Sequence, residues 1–103
     1  MKIYNKLVRD KIPNIIESTG KSFDIHYAKN EELLSLLETK LNEEVSEYLK
    51  DKNLGELADI MEVLFSLANA LGYSQEDLNN KRNEKKEERG GFEKGIVLEK
   101  VYE

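Results

Sequence analysis

From residue 31 onward the apolar positions recur with helical spacing. Leu34, Leu37, Leu41, Val45 and Tyr48 fall within about 40° of one direction on a helical wheel, which predicts an amphipathic helix over 31–50. The next run, Leu54 to Leu71, is apolar almost all the way round: Leu57, Ile60, Met61, Val63, Leu64, Phe65, Leu67, Ala68 and Ala70. It predicts a second, largely buried helix, stopped by Gly72 in the position after its C-cap. Only Asp51-Lys52-Asn53 separates the two, so they form an antiparallel hairpin. Ser74 opens a third helix, with Asp77 three residues on in a capping-box position, and Gly90-Gly91 closes it. Between Leu78 and Arg89 this helix has no further apolar residue, so core burial does not select its sequence.

The flanks are shorter and less regular. Asp10 is placed to cap a short helix with Pro13 in its first turn, Gly20 after its end, and Ile12, Ile15 and Ile16 as its buried face. Phe23, Ile25 and Tyr27 alternate with Asp24 and His26, which reads as a short strand. A terminal strand at Ile96-Val97-Leu98 and Val101 is its expected partner, and Asn30 is an expected cap for the first long helix. The pattern therefore describes a mainly α protein: a helical hairpin plus a third helix, with short terminal extensions or strands, in one domain covering 1–103.

Composition narrows the function classes. With 39% hydrophobic and 36% charged residues, the chain fits a soluble helical domain with a modest core, and at 103 residues burial against a partner would help it. Homo-oligomerisation is expected. The lack of cysteine excludes a disulfide framework, a thiol nucleophile and a thiolate zinc site. No run approaches the ~20 apolar residues of a membrane span, and Met1-Lys2 is not followed by a signal-like apolar stretch, so no membrane partner and a cytoplasmic location are expected. A net charge of −5 argues against a nucleic-acid polymer as partner. His26, the single histidine, has no companion for a metal motif or a catalytic triad and reads as structural.

Two carboxylate pairs carry the candidate chemistry: Glu44-x-x-Glu47 and Glu56-x-x-Asp59. Residues three apart on a helix lie about 60° apart round the axis, so each pair can aim at one point. Two packed helices then offer four oxygen ligands, a donor set suited to Mg²⁺ or Mn²⁺. Glu-x-x-Glu is usually a solvated face, and among 21 acidic residues either pair alone says little. Placement changes this. Glu44 lies at the edge of the apolar stripe with Glu47 continuing round the same side, whereas Glu43 points away and reads as solvated. Glu56 falls in an apolar sector of the second helix, between Val63 and Leu67, with Asp59 on its flank. An ionised carboxylate there calls for a metal or a cationic partner, because its burial alone costs several kcal/mol, on the order known for relaxed protein interiors. The competing reading is that Asn53 caps the helix and Glu56 closes a capping box; it leaves Glu44, Glu47 and Asp59 unexplained.

The polar third helix carries Lys81, Arg82, Lys85, Lys86 and Arg89 among Glu84, Glu87 and Glu88. It reads either as a solvated helix laced with ion pairs or, beside the carboxylates, as a source of cations for phosphate. Tyr4 and Tyr48 belong to apolar patterns and read as packing residues, with stacking on a base as the alternative.

Together, Glu44-x-x-Glu47, Glu56-x-x-Asp59 inside an apolar helix, and a basic helix ending in Arg89-Gly90-Gly91-Phe92 resemble the MazG-like all-α nucleoside triphosphate pyrophosphohydrolase superfamily. The opening Tyr4-Asn5-Lys6-Leu7-Val8-Arg9-Asp10-Lys11-Ile12-Pro13 resembles its phosphoribosyl-ATP pyrophosphohydrolase-like subgroup. The resemblance implies an oligomeric helical bundle, dimer or tetramer, in which Glu44, Glu47, Glu56 and Asp59 bind Mg²⁺. It implies hydrolysis of a nucleoside triphosphate between the α and β phosphates, giving monophosphate and pyrophosphate. Within that scheme Glu47 is the choice for general base. Lys85 and Arg89 carry over as phosphate contacts, joined by Lys6 and Arg9, basic residues in an apolar entry segment. Many relatives have an asparagine where this chain has Lys85 and Lys86. Nucleotide-pool housecleaning is the leading expectation. The alternatives are phosphoribosyl-ATP hydrolysis and, outside enzymes, a metal-stabilised helical oligomer acting as a binding or regulatory module.

Overall fold

A computed structural model describes residues 1–102 and contains four helices: α1 (Ile12–Ser18), α2 (Asn30–Asp51), α3 (Leu54–Ala70) and α4 (Gln75–Arg89). The protein is thus mainly α, and no strand occurs among the described residues. The expected strand at Phe23–Tyr27 and its partner near Ile96–Leu98 are extended coil instead. Ile25 and Tyr27, on one side of the alternation, are exposed, as are Ile96, Val97 and Leu98. Alternation alone does not make a strand; without a neighbouring edge the backbone ladder has nothing to bond. His26 uses its place in this coil to set Nε2 2.9 Å from Glu32 Oε2 in the first turn of α2.

Local signals decide most helix ends. α2 and α3 are joined by two residues, because Lys52 turns the chain in the left-handed region (φ 50°) and Asn53 caps α3, accepting from the Glu56 N–H. α3 closes in a Schellman arrangement: Tyr73 N–H donates to Ala68 O at 2.8 Å and Gly72 N–H to Asn69 O at 3.0 Å, with Gly72 at φ 94°. The capping box of α4 is complete, with Asp77 N–H on Ser74 Oγ at 3.0 Å and Ser74 N–H on Asp77 Oδ2 at 2.8 Å. Ser74→Ala should remove about 1 kcal/mol of stability, measurable by urea unfolding.

Two caps differ from expectation. Lys11, not Asp10, stands at the N-cap of α1 and makes no side-chain cap, because the main-chain bond from Ile12 N–H to Arg9 O (3.0 Å) already forms the turn. Lys29 rather than Asn30 precedes α2, and Asn30 begins the helix with φ 53°. In α1, Ile12 and Ile16 are half-buried while Ile15 is exposed.

α2 and α3 form the hairpin, and α4 packs on α3 alone. Among the described residues the buried apolar set is small: Leu37 from α2, Val63 and Ala68 from α3. The chain extends over 64 × 31 × 23 Å with a radius of gyration of 18.3 Å, against about 13 Å for a compact chain of this length. It exposes 9600 Å², where a folded monomer of its mass would expose about 5900 Å². Part of that surplus is an apolar stripe on α3, formed by Leu54, Leu57, Met61 and Leu64 and continued by Leu71, all exposed. Helical geometry puts the stripe roughly 170° round the axis from Asp59.

Candidate metal centre

The hairpin sets the phase of its two helices so that Glu44 of α2 meets Glu56 and Asp59 of α3. One carboxylate oxygen from each lies within 4.8 Å of the other two. Octahedral Mg²⁺ holds neighbouring oxygens about 2.9 Å and opposite ones about 4.2 Å apart, so side-chain adjustments of about 1–2 Å would close the set. Glu44 is 6% exposed, the one charged residue buried among those described. Its Oε1 lies 3.3 Å from Lys40 Nζ, one turn earlier on α2, and its Oε2 has no hydrogen-bond partner. Glu56 Oε2 is likewise buried without a partner. Orphaned carboxylate oxygens inside a fold are costly and call for a ligand.

The Glu56 side chain is also free of capping duty: Asn53 accepts from its backbone N–H, but the reciprocal bond that marks the α4 box is absent from α3. Burial raises the Glu56 pKa above its ordinary 4.5, and the charges of Glu47, Asp59, Asp51 and Glu44 push it the same way. A carboxyl whose folded pKa is raised binds its proton longer in the folded state than in the unfolded one. Its contribution to stability therefore falls as pH rises from about 4.5. Thermal unfolding of metal-free protein should show this penalty at neutral pH, and Glu56→Gln or added Mg²⁺ should remove it.

Glu47 stands apart from the three-carboxylate cluster and is exposed, although its charge is the nearest-ranked influence on Glu56 after burial. Arg9 reaches the centre from the opening segment, its Nη2 donating to Asp59 Oδ1 at 2.7 Å. Lys6 lies 3.6 Å from Glu43 Oε1, which Lys40 also approaches at 3.6 Å. Lys85 and Arg89 neither line the cleft beside the centre nor pair with its carboxylates. They belong to the distal half of α4, which carries the ion pairs Lys81–Glu84 and Lys86–Glu93.

That cleft has a volume of about 690 Å³. Glu44 and Asp59 line it together with Arg9, Lys11 and Lys40, while Phe65, Ser66, Asn69 and Gln75 also line it farther along α3 and at the start of α4. Lys40 escaped the sequence reading although its i,i+4 spacing to Glu44 was visible. Ser66, Asn69 and Gln75 carry no spacing signal at all. Comparison with family models, curated proteins and solved structures finds no match to this chain. No helix among the described residues is long and apolar enough to cross a membrane.

Proposed function

We propose that this protein is a Mg²⁺-dependent nucleoside triphosphate pyrophosphohydrolase of the MazG-like kind, hydrolysing the α–β phosphoanhydride to release monophosphate and pyrophosphate. The observation that carries the reading is the convergence of Glu44, Glu56 and Asp59, Glu44 and Glu56 with orphaned buried oxygens, beside a cleft that Glu44 and Asp59 line together with Arg9, Lys11 and Lys40. Carboxylates for a hard cation and basic side chains for phosphate are the two halves of a metal-assisted phosphate site.

Glu44, Glu56 and Asp59 hold the metal, with Mn²⁺ as a substitute, and Glu47 completes the acidic set from the rim. Bound there, the ion would neutralise phosphate charge and lower the pKa of the attacking water. Glu47 takes the proton from that water as it adds across the anhydride, and the bridging oxygen leaves with pyrophosphate. Arg9 and Lys6 approach the phosphates from the opening segment; Lys85 and Arg89 act from α4, on the same site or on a neighbour's. From Asp59 to Asn69, α3 rises about 15 Å, room for a nucleoside beyond its phosphates. Phe65 offers an apolar wall there and Ser66, Asn69 and Gln75 offer polar groups. The working form is a homodimer or tetramer closed over the α3 stripe, acting on the cytoplasmic nucleotide pool.

³¹P NMR of the purified protein with a panel of nucleoside triphosphates and phosphoribosyl-ATP, with Mg²⁺ and then EDTA, tests this. Metal-dependent pyrophosphate release is expected, and the fastest substrate separates housecleaning from phosphoribosyl-ATP hydrolysis. Orthophosphate alone would contradict the cleavage position. No turnover of any compound would leave a metal-stabilised binding module in place of an enzyme.

A further inference from the structure

The opening segment is fastened to both arms of the hairpin: Lys6 to Glu43 of α2 at 3.6 Å and Arg9 to Asp59 of α3 at 2.7 Å. Leu7 between them is half-buried, and Leu7 and Val8 line the cleft. Arg9 therefore holds an oxygen of the carboxylate that the metal would need. Asp59 has few oxygens to share, and a guanidinium and a divalent cation side by side repel each other. The ion pair is also one that can yield, since its side chains are 57% and 39% exposed and pairs so solvated are weak.

We propose that Arg9 is a displaceable counter-ion of the acidic centre. It occupies Asp59 in the metal-free protein and surrenders it to a divalent cation, while half-buried Leu7 keeps the segment docked. The freed guanidinium then stands at the mouth of the cleft, a planar donor suited to bidentate phosphate. Arg9 is a positioning residue in this scheme: it lowers the affinity for metal alone and delivers its charge to a phosphate-bearing ligand that arrives with metal. The inference rests on reading Glu44, Glu56 and Asp59 as a metal centre.

The test is Mn²⁺ binding, followed by electron paramagnetic resonance on the full chain without nucleotide, for wild type, R9Q, K11Q and D59N. R9Q should bind Mn²⁺ more tightly, by up to about fivefold, the upper end of the range of a weak ion pair no longer competing. K11Q removes the same charge from a neighbouring cleft residue that makes no such pair, and should change affinity less. Hydrogen exchange of the opening segment should also quicken when Mg²⁺ is added to wild type and not to R9Q. An R9Q affinity equal to or weaker than wild type overturns the proposal while leaving the metal centre intact, as does an equal gain from K11Q. If neither wild type nor R9Q binds Mn²⁺, or D59N binds as well as wild type, the metal centre itself fails and the proposal falls with it.

Discussion

Glu56→Gln is expected to reduce metal-dependent pyrophosphate release by at least about 100-fold while leaving the metal-free protein as stable as wild type or more so. The two halves of this result have one cause. Glu56, Glu44 and Asp59 crowd their oxygens within 4.8 Å, and burial and neighbouring negative charge already disfavour the ionised form of Glu56. A neutral amide of the same shape relieves that repulsion and retains the Asn53 cap, which uses the backbone N–H of residue 56 rather than its side chain. What it removes is a charged ligand. Thermal unfolding with and without Mg²⁺, beside pyrophosphate release, separates the effects. The stabilisation conferred by Mg²⁺ should shrink in the variant, because a ligand raises the melting temperature only as far as it binds the folded state more tightly than the unfolded one. A variant that keeps most of its activity would falsify the assignment of Glu56. One that unfolds at ordinary temperature would make the residue structural.

Met61→Glu should have the second large effect. Leu54, Leu57, Met61 and Leu64 are 82%, 48%, 53% and 41% exposed along one side of α3, and among the described residues only Leu37, Val63 and Ala68 are buried apolar ones. So small a core leaves a chain of this length short of stabilisation; complete burial of a large aliphatic side chain contributes about 1.5–3 kcal/mol. A second copy closing over the stripe would recover several such contributions at once. A glutamate in the middle of that interface would be a desolvated charge without a partner, costing several kcal/mol, on the order seen for such groups. Wild type should sediment as a dimer or tetramer. M61E should sediment near the 11.9 kDa of one chain and lose helical circular dichroism on dilution. A wild-type chain that is monomeric and fully helical at micromolar concentration would sink this reading of the stripe. The Mn²⁺ experiment on Arg9 is independent of it, since Arg9 and Asp59 belong to one chain.

The helices were the legible part of this fold. The stripe from Leu34 to Tyr48 and the all-round apolar run after Leu57 correspond to α2 and α3, and Ser74-x-x-Asp77 and Gly72 mark the ends that the hydrogen bonds show. Such signals act within one or two turns, so they survive without tertiary context. The strands are absent for the complementary reason: Phe23, Ile25 and Tyr27 have the right alternation, but a strand is a relation between two segments, and among the described residues no pairing forms. At the site, the spacing of all four carboxylates is visible in the sequence, while the gathering of one oxygen each from Glu44, Glu56 and Asp59 within 4.8 Å is not. Glu47 shares a helix face with Glu44 and its charge acts on Glu56 more strongly than that of Glu44, yet only the meeting of α2 with α3 decides which oxygens gather.

By itself, the sequence determined what short-range chemistry can determine: where helices run, how they are capped, and that carboxylates stand within apolar surroundings. Tertiary structure alone decided that Arg9 meets Asp59 fifty residues along the chain, and that Lys85 and Arg89 of α4 stay outside the lining of the cleft. The difference is physical. Periodicity fixes the direction of a side chain about its own helix, but the rotation of one helix against another depends on a few packed residues such as Leu37 and Val63.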